Sequence, residues 1–398
     1  MDSAGVNPDL MTSLRALPRV AWFIFAGTFI NRCGSLVMPF ITLYLTRQQH
    51  SVADAGWTLF TFGLGNLGAT LVGGHLADRI GRKRTMMLSL FSTSAVVCLL
   101  PHATSLAGIQ ALMFLTGLAG ELYRPAVNAL IADFIPLEHR LTAYAANRTA
   151  LNAGWALGPA LGGFLAHHSW ALLFYADAAT TFLFGLIAWK ALPDGDHSRE
   201  LMARWSGIWR EVFRNRPFLA FASANLCLAI VFMQMNSTFS LMIVDRGFDP
   251  WVYGLVNSLN GALIVFFELP LTAVTRRFRS RNVIAAGYFL CGTGMTFAVG
   301  ANSIPSFVLV MMIFTLGEML SLPMAATYLA QIAPEAGRGR FMGVFGLTWA
   351  LSMLIGPKLG LAVYARQPDL WWWICGGLGA LAAILMLAGT PSAGRSRD

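Results

Sequence analysis

The chain has 398 residues, of which 56% are hydrophobic and 12% are charged, and its formal net charge is +9. Soluble globular proteins contain about 25% charged residues, so this composition excludes an ordinary soluble enzyme or binding domain. All five cysteines fall within apolar runs and show no metal-ligand spacing, so neither disulfides nor a metal site is predicted.

Twelve long apolar runs follow one another along the chain. The runs have 17 to 30 residues, and a helix needs roughly 17–25 residues to cross a bilayer. They predict an all-α membrane protein with twelve transmembrane helices. The predicted spans 1 to 12 lie at residues 17–46, 53–76, 85–101, 105–133, 140–167, 169–190, 217–244, 251–274, 282–300, 305–333, 338–363 and 370–389.

The positive charges are distributed unevenly between the two sides of the predicted membrane. With both termini placed in the cytoplasm, 21 of the 28 lysines and arginines fall in cytoplasmic segments and three fall in outer loops. This bias is the positive-inside pattern, and it predicts cytoplasmic termini. The net charge is therefore explained by topology. We expect a lipid bilayer around the protein and no nucleic-acid partner.

The sequence repeats itself with an offset of 198 residues. Matching residues are Pro125 with Pro323, Arg140 with Arg338, and Gly158-Pro159 with Gly356-Pro357. Two parallel halves of six helices are a known transporter architecture, in which substrate binds between the halves at mid-membrane. We therefore predict two pseudo-symmetric six-helix bundles, at residues 1–190 and 216–398, joined by a cytoplasmic linker at 191–215.

A short stretch between spans 2 and 3 combines helix breakers with charge. It reads GGHLADRIGRKR, residues 73–84, and holds one carboxylate, four cations and three glycines. Gly74 lets span 2 approach a neighbouring helix, and Gly81 permits a sharp reversal. Asp78 is placed to cap or face helix ends, and the cations hold the turn in the cytoplasm. Any cytoplasmic hairpin is expected to be basic and glycine-rich, so the order of the residues is the informative feature.

Two motifs resemble those of the major facilitator superfamily. The loop 2–3 signature of that superfamily is matched at Gly74, Leu76, Ala77, Asp78, Arg79, Gly81, Arg82, Lys83 and Arg84. The antiporter motif of its drug/proton antiporters is similar to GWALGPALGG in span 5, at Gly154, Gly158, Pro159, Gly162 and Gly163. The resemblance covers essentially the whole chain. Two further stretches, NRCGSLVMPFITLYL in span 1 and GEMLSLP in span 10, are similar to bacterial exporters of drugs or small peptides.

The resemblance implies a secondary transporter that works by alternating access, needs no cofactor and takes its energy from the proton gradient. It also implies that the loop 2–3 motif locks the outward-facing state. In such a lock Asp78 meets the end of a helix from the other half, and Arg82 pairs with Asp133 at the end of span 4. The alternative for Asp133 is an ordinary helix-end carboxylate beside a basic loop. Arg276 occupies the position equivalent to Asp78, so a second, symmetric lock is not expected.

Ionisable side chains inside the spans are costly to bury, so each is a candidate for function. Eight are predicted there: Arg32, Glu121, Arg124, Arg148, Asp177, Glu268, Glu318 and Lys358. Four are positive and four are negative, which favours pairing within the bundle. For Glu268 a structural and a functional role are equally expected. Asp177 and Lys358 lie nearer the outer side of spans 6 and 11, where they could pair or line the outer vestibule, and neither is assigned a role in the site.

Glu318, at the middle of span 10, is the favoured proton carrier, because no cation lies within one helical turn of it. Glu121 is an alternative or a second carrier, although Arg124 shares its helix face at a spacing of three residues. Arg124 and Arg32 are expected as electrostatic partners, and Arg148 completes the candidate set for coupling and substrate binding. A fixed structural ion pair is the alternative for Arg148, for Glu121 with Arg124, and for Glu318.

Together these features predict a monomer in a bacterial cytoplasmic (inner) membrane that exports small amphipathic compounds, such as drugs, in exchange for protons. Proton-coupled import, or transport of peptides or lipids, is the alternative within transport. A membrane enzyme is the remote alternative, because it needs a nucleophile with a base, or a metal cluster, at membrane depth. All seven histidines lie in loops or at span ends, so no catalytic residue is predicted. Direct use of ATP is not expected, because the sequence contains no P-loop.

Overall fold

A computed structural model describes residues 14–194, 208–334 and 338–389 of the chain. These residues form helices joined by short turns, with no β-strand among them. The predicted all-α class is confirmed.

Within the described residues, twelve long helical segments occur in the predicted order, and each begins and ends within a few residues of a predicted apolar run. Segments α1 to α12 are Arg19–Arg47, Val52–Ile80, Arg82–His102, Leu106–Phe134, Leu137–His168, Trp170–Ala191, Arg216–Asp245, Pro250–Thr275, Ser280–Gly300, Ile304–Ile332, Arg338–Tyr364 and Pro368–Ala388. Ten of them have the length and the apolar composition to cross a membrane. The other two, α2 and α5, are long enough, at 29 and 32 residues, but their sequences are more polar. Twelve crossings and cytoplasmic termini are consistent with this architecture and stay predictions.

The outer surface of the bundle is strongly apolar. Large side chains stand exposed along the helices, among them Leu71 (64% exposed), Phe164 (59%), Phe266 (71%) and Ile384 (61%). Contiguous apolar surface of this kind is unfavourable in water and is accommodated by lipid. With ten apolar membrane-length helices, the chain is an integral, multi-pass membrane protein.

Three of the long segments are interrupted near mid-length. The parts are Arg19–Cys33 and Val37–Arg47 in α1, Leu106–Gly120 and Tyr123–Phe134 in α4, and Arg216–Met233 and Thr238–Asp245 in α7. The interruptions in α1 and α7 lie at nearly equivalent positions of the two sequence repeats. An interrupted helix leaves backbone groups without their usual partners, and in a bilayer the protein itself must supply others.

The predicted linker contains a short helix, Ile208–Arg214, whose Val212 is buried. Residues 195–207 of the linker lie outside the described residues. The division into bundles at 190/191 and 215/216 stays a prediction. The N-terminal and C-terminal halves are the residues on either side of this linker.

The two halves meet mainly along two helix pairs, α5 with α8 and α2 with α11, and the second parts of α1 and α7 also contact each other. We call the bundle end that carries the chain termini the terminal face, and the opposite end the distal face. A Cβ atom added at Gly163 of α5 would lie 2.7 Å from the Cα atom of Trp251 on α8. At Gly63 of α2 it would lie 2.6 Å from the Cα atom of Leu354 on α11. These close approaches lie between the distal face and mid-bundle, so the halves are closed against each other there.

Candidate functional site

A buried carboxylate caps the interruption in α1. Asp177 on α6 is 7% exposed, and its Oδ2 atom accepts hydrogen bonds from the backbone N–H groups of Leu36 (2.8 Å) and Val37 (3.0 Å). These groups begin the second part of α1, where a negative charge complements the positive end of the helix dipole. The sequence assigned no role to Asp177, and the structure places it as a cap inside the membrane.

Arg32 lies at the other side of the same interruption. It is 7% exposed, and its Nη2 atom donates to the Tyr123 hydroxyl at 2.9 Å. That hydroxyl donates to the Asn31 side-chain oxygen at 3.4 Å, and the Asn31 amide donates to the Thr181 hydroxyl at 3.0 Å. Within the described residues Arg32 forms no ion pair with a carboxylate. Its direct partner is a tyrosine rather than a candidate proton carrier.

The interruption in α7 is stabilised by uncharged groups. The Gln234 side-chain nitrogen donates to the carbonyl of Gly356 at 3.1 Å, and its oxygen accepts a hydrogen bond from the Trp371 indole at 3.2 Å. Gln234 also accepts from the Thr238 hydroxyl at the start of the second part of α7. The two halves therefore stabilise equivalent breaks by different chemistry, a carboxylate in one and an amide in the other.

The pair Glu121 and Arg124 lies at the interruption in α4. The Arg124 Nε atom is 2.8 Å from Glu121 Oε2, and the two side chains are 50% and 21% exposed. Both residues belong to one helical segment, so rocking of the halves does not separate them. This geometry favours the interpretation of a fixed ion pair over that of a switching proton carrier.

Glu318 lies at the middle of α10 and is 8% exposed. Its Oε2 atom accepts a hydrogen bond of 2.7 Å from the Asn260 amide on α8, and the same amide nitrogen donates to the Thr315 hydroxyl at 3.0 Å. No lysine or arginine within the described part of the chain forms an ion pair with Glu318. An unpaired buried carboxylate is costly, and a bound proton removes that cost. The sequence did not identify Asn260 as the partner.

A further carboxylate on α8 forms an ion pair between the halves. Glu268 Oε1 is 2.8 Å from Arg148 Nη2 on α5, and the arginine side chain is 49% exposed while that of the glutamate is 13% exposed. The sequence placed Arg148 in the coupling set without a partner and left the role of Glu268 open. The structure pairs the two.

The turn between α2 and α3 has the geometry that its glycine predicts. Gly81 has φ 93°, a conformation that side-chain-bearing residues rarely adopt. Arg82, the next residue, forms an ion pair with Asp133 at the end of α4 and donates to the Ala129 carbonyl at 3.0 Å. The structure therefore contains the ion pair that the family resemblance implies. Because it lies within one half, this pair does not by itself show whether a gate is open.

The structure gives little information on the gating role of Arg79, Gly74 and Asp78. Arg79 is exposed at the end of α2. The surroundings of Gly74 and the side chain of Asp78 lie outside the described part of the chain. The gating role of this motif stays a prediction.

The span 5 motif packs α5 against two different helices. A Cβ atom at Gly158 would lie 3.0 Å from the Arg32 carbonyl oxygen on α1, and Gly154 and Gly162 face the same helix. Gly163 instead faces α8 in the other half. Next to Pro159, which lacks an N–H group, the Ala160 N–H donates across the halves to the Ser258 hydroxyl at 2.8 Å. The motif thus combines packing within the N-terminal half with contact between the halves.

We expect Gly163→Leu to weaken closure at the distal face and Gly158→Leu to lower the stability of the N-terminal half. Overpacking of this kind costs about 1–3 kcal/mol. Spin-label distances between Gln48 and Gln367 measure closure at the distal face. Thermal unfolding in detergent measures the stability of the N-terminal half. Gly377→Leu is the matched control, because a Cβ atom there meets nothing within 4 Å. If leucine at Gly158 and Gly163 is as harmless as at Gly377, the close-packing interpretation is wrong.

A cation–aromatic contact joins α2 and α11 near the distal face. The Lys358 Nζ atom lies 3.3 Å from the ring centroid of Trp57 and 4.7 Å from that of Phe60. The two rings pack edge to face, with centroids 5.5 Å apart. The sequence assigned no role to Lys358, because its partners come from the other half.

We expect Trp57→Leu to shift the protein towards opening at the distal face. Because the Trp57 ring is half-exposed, the lost contact is worth about 0.5–1 kcal/mol, or about two- to fivefold in an equilibrium constant. The spin-label distance between Gln48 and Gln367 should lengthen. Trp189→Leu serves as the control, because Trp189 is similarly exposed (53% against 48%) but lies near the terminal face. Equal distances in both variants would show that the contact does not hold the halves together.

Comparison with known proteins assigns the chain to a family. The family model of the Major Facilitator Superfamily matches residues 23–357 and 235–398. An uncharacterized MFS-type transporter of Bacillus subtilis, YqjV, is 28% identical, and the match covers 86% of this chain and 85% of that one. A Na(+), Li(+), K(+)/H(+) antiporter of Planococcus maritimus is 25% identical, with 83% and 85% covered. The multidrug resistance protein MdtH of Aeromonas salmonicida is 24% identical, with 92% and 94% covered.

The fold is also found in solved structures. A crystal structure of a D-xylose-proton symporter superposes with a TM-score of 0.77 at 16% identity, covering 96% of this chain and 98% of that one. At this level of identity the likeness establishes a shared fold and leaves substrate and direction open.

Proposed function

The chain belongs to the Major Facilitator Superfamily and is a transporter rather than an enzyme, and we propose that it exports small amphipathic compounds in exchange for protons. The observation that carries this proposal is Glu318. It is a buried carboxylate at mid-helix, bonded to an amide on a neighbouring helix and without an ion-pair partner in the described residues. A site of this kind can gain and lose a proton inside the membrane.

Alternating access supplies the second element of the proposal. The halves are in close contact from the distal face to mid-bundle, along α5 with α8 and α2 with α11. On the predicted topology this corresponds to a state closed to the outside. Rocking of the halves would open the distal face and bring the mid-bundle carboxylates from one aqueous compartment to the other.

Export, rather than import, is favoured by two features. The span 5 motif resembles that of drug/proton antiporters, and MdtH is named as a multidrug resistance protein. We propose further that the protein acts as a monomer in a bacterial cytoplasmic membrane, without a cofactor, on the energy of the proton gradient.

Everted membrane vesicles test this function. With the vesicle interior acidified, the protein should accumulate an amphipathic fluorescent dye, and a protonophore should release it. Vesicles that contain the Glu318→Gln variant in equal amount serve as the control. If dye accumulates equally with and without a proton gradient, proton coupling is excluded. If a panel of amphipathic dyes, drugs and peptides gives no accumulation, export of such compounds is excluded.

Exchange of monovalent cations for protons is the second candidate. It is favoured by the similarity to the Planococcus maritimus antiporter. The same vesicles distinguish it, because added Na⁺ or K⁺ should then dissipate the pH gradient in the absence of any organic substrate. A gradient that withstands both ions but collapses with an amphipathic compound favours the first proposal.

A further inference from the structure

The turn between α8 and α9 is strongly basic and lies at the terminal face. Residues 276–281 read RRFRSR and hold four arginines and no carboxylate. Arg276, Arg277 and Arg279 are exposed, and none of the three forms an ion pair within the described part of the chain. The turn therefore presents positive charge that the protein itself does not neutralise.

The sequence repeat shows how this turn differs from its counterpart. At the offset of 198 residues it corresponds to the turn between α2 and α3, where Arg82 forms an ion pair with Asp133. The equivalent positions hold Ser280 and Gln331, and Arg276 stands where the first turn has its carboxylate. No member of the predicted lock is therefore kept in the C-terminal half. Its arginines are left for an anionic partner from outside the chain.

An apolar surface leads directly into this turn. Phe267 and Val274 lie seven residues apart on one face of α8, and they are 56% and 55% exposed. Within the turn, Phe278 is 62% exposed and stands between two arginines. Apolar and aromatic side chains beside a basic segment are typical of the boundary between acyl chains and headgroups. Along α8 the surface thus changes from apolar to aromatic to cationic, which is the order of groups that a phospholipid requires.

We propose that the α8–α9 turn binds an anionic phospholipid, with its headgroup at the exposed arginines and an acyl chain along Phe278, Val274 and Phe267. Guanidinium groups suit this partner, because they bind phosphate oxygens in pairs. Each arginine beside an anionic lipid surface contributes about fivefold to the affinity. A zwitterionic lipid lacks the matching net charge, and a free phosphate ion would not contact the apolar face. The site is separate from the path of the transported compound and does not depend on proton coupling.

The test titrates the full-length protein in a non-ionic detergent with phosphatidylglycerol and follows its unfolding temperature. A ligand that binds the folded state raises this temperature by mass action. Phosphatidylcholine with the same acyl chains is the zwitterionic comparison, and glycerol phosphate is the soluble anion. We expect phosphatidylglycerol to stabilise the protein more than either one. High salt should reduce the difference, because exposed charges are screened.

Variants of the turn locate the effect. Replacing Arg276, Arg277 and Arg279 together by glutamine should weaken phosphatidylglycerol binding about hundredfold. Replacing the same three by lysine keeps the charge and should keep most of the stabilisation, which separates the loss of charge from structural damage. The matched control removes three exposed cations at the terminal face of the other half and should bind the lipid normally: Arg15→Gln, Arg19→Gln and Lys190→Gln.

Phe278→Ala tests the apolar part of the site without changing any charge. It should lower the affinity for phosphatidylglycerol and leave the response to glycerol phosphate unchanged. The inference is overturned if this variant or the glutamine triple variant binds phosphatidylglycerol like the wild-type protein, or if the control triple variant loses as much affinity as the glutamine triple. It is also overturned if phosphatidylcholine or glycerol phosphate stabilises the wild-type protein as strongly as phosphatidylglycerol does.

Discussion

Replacement of Glu318 by glutamine is expected to abolish proton-driven export while leaving substrate binding intact. Glutamine keeps the size of the side chain and can still accept a hydrogen bond from Asn260, but it cannot take up a proton. Proteoliposomes with an imposed pH gradient should therefore show substrate accumulation with the wild-type protein and none with the variant. Substrate affinity of the detergent-solubilised variant should no longer depend on pH.

Two comparisons make this experiment decisive. Asp249→Asn removes a carboxylate from an exposed helix N-cap, where asparagine is an equally good cap, and should transport normally. Glu121→Gln tests the alternative carrier, whose ion pair with Arg124 argues for a fixed role. If Glu318→Gln and Glu121→Gln each exchange substrate for protons at wild-type rates, neither residue carries the proton.

Asp78→Asn is expected to abolish or strongly reduce transport without preventing membrane insertion. The family resemblance implies that Asp78 meets a helix end of the other half, where a negative charge favours the contact. Asparagine retains the shape and loses the charge, so the closed state at the terminal face should be weakened. Transport rates and the amount of inserted protein should be measured in the same vesicles.

The matched control is Asp194→Asn, an exposed carboxylate after the end of α6. Asp133→Asn should have a smaller effect, because Arg82 keeps its hydrogen bond to the Ala129 carbonyl. Near-normal transport by Asp78→Asn would show that the loop does not act as a gate. The loop would then only fix the orientation of the protein in the membrane, and its cations suffice for that role.

The positions of the helices could be predicted closely from sequence. Span 6, predicted at 169–190, is Trp170–Ala191, and span 10, predicted at 305–333, is Ile304–Ile332. This works because the bilayer requires long apolar runs and the loops between them are polar. The interruptions were not predicted, because an apolar run looks the same whether or not its helix is continuous. Gly34 and Gln234 were the available signals.

Contacts within one helix could be predicted, and contacts between helices could not. The pairing of Glu121 with Arg124 follows from their spacing of three residues. The partners of Glu318 and Arg148 depend on which helices are neighbours, and that is a property of the packed halves. Sequence alone therefore proposed Arg32 as a partner for a proton carrier, whereas in the structure it donates to Tyr123.

Simultaneous measurement of proton and substrate flux tests the central claim, that export is coupled to proton uptake at Glu318. Proteoliposomes loaded with a pH-sensitive dye are given a substrate gradient and no initial pH gradient. We expect the wild-type protein to move protons against the direction of the substrate, and Glu318→Gln to move no protons. Substrate movement by the wild-type protein without proton flux, or wild-type proton flux in Glu318→Gln, would contradict the claim.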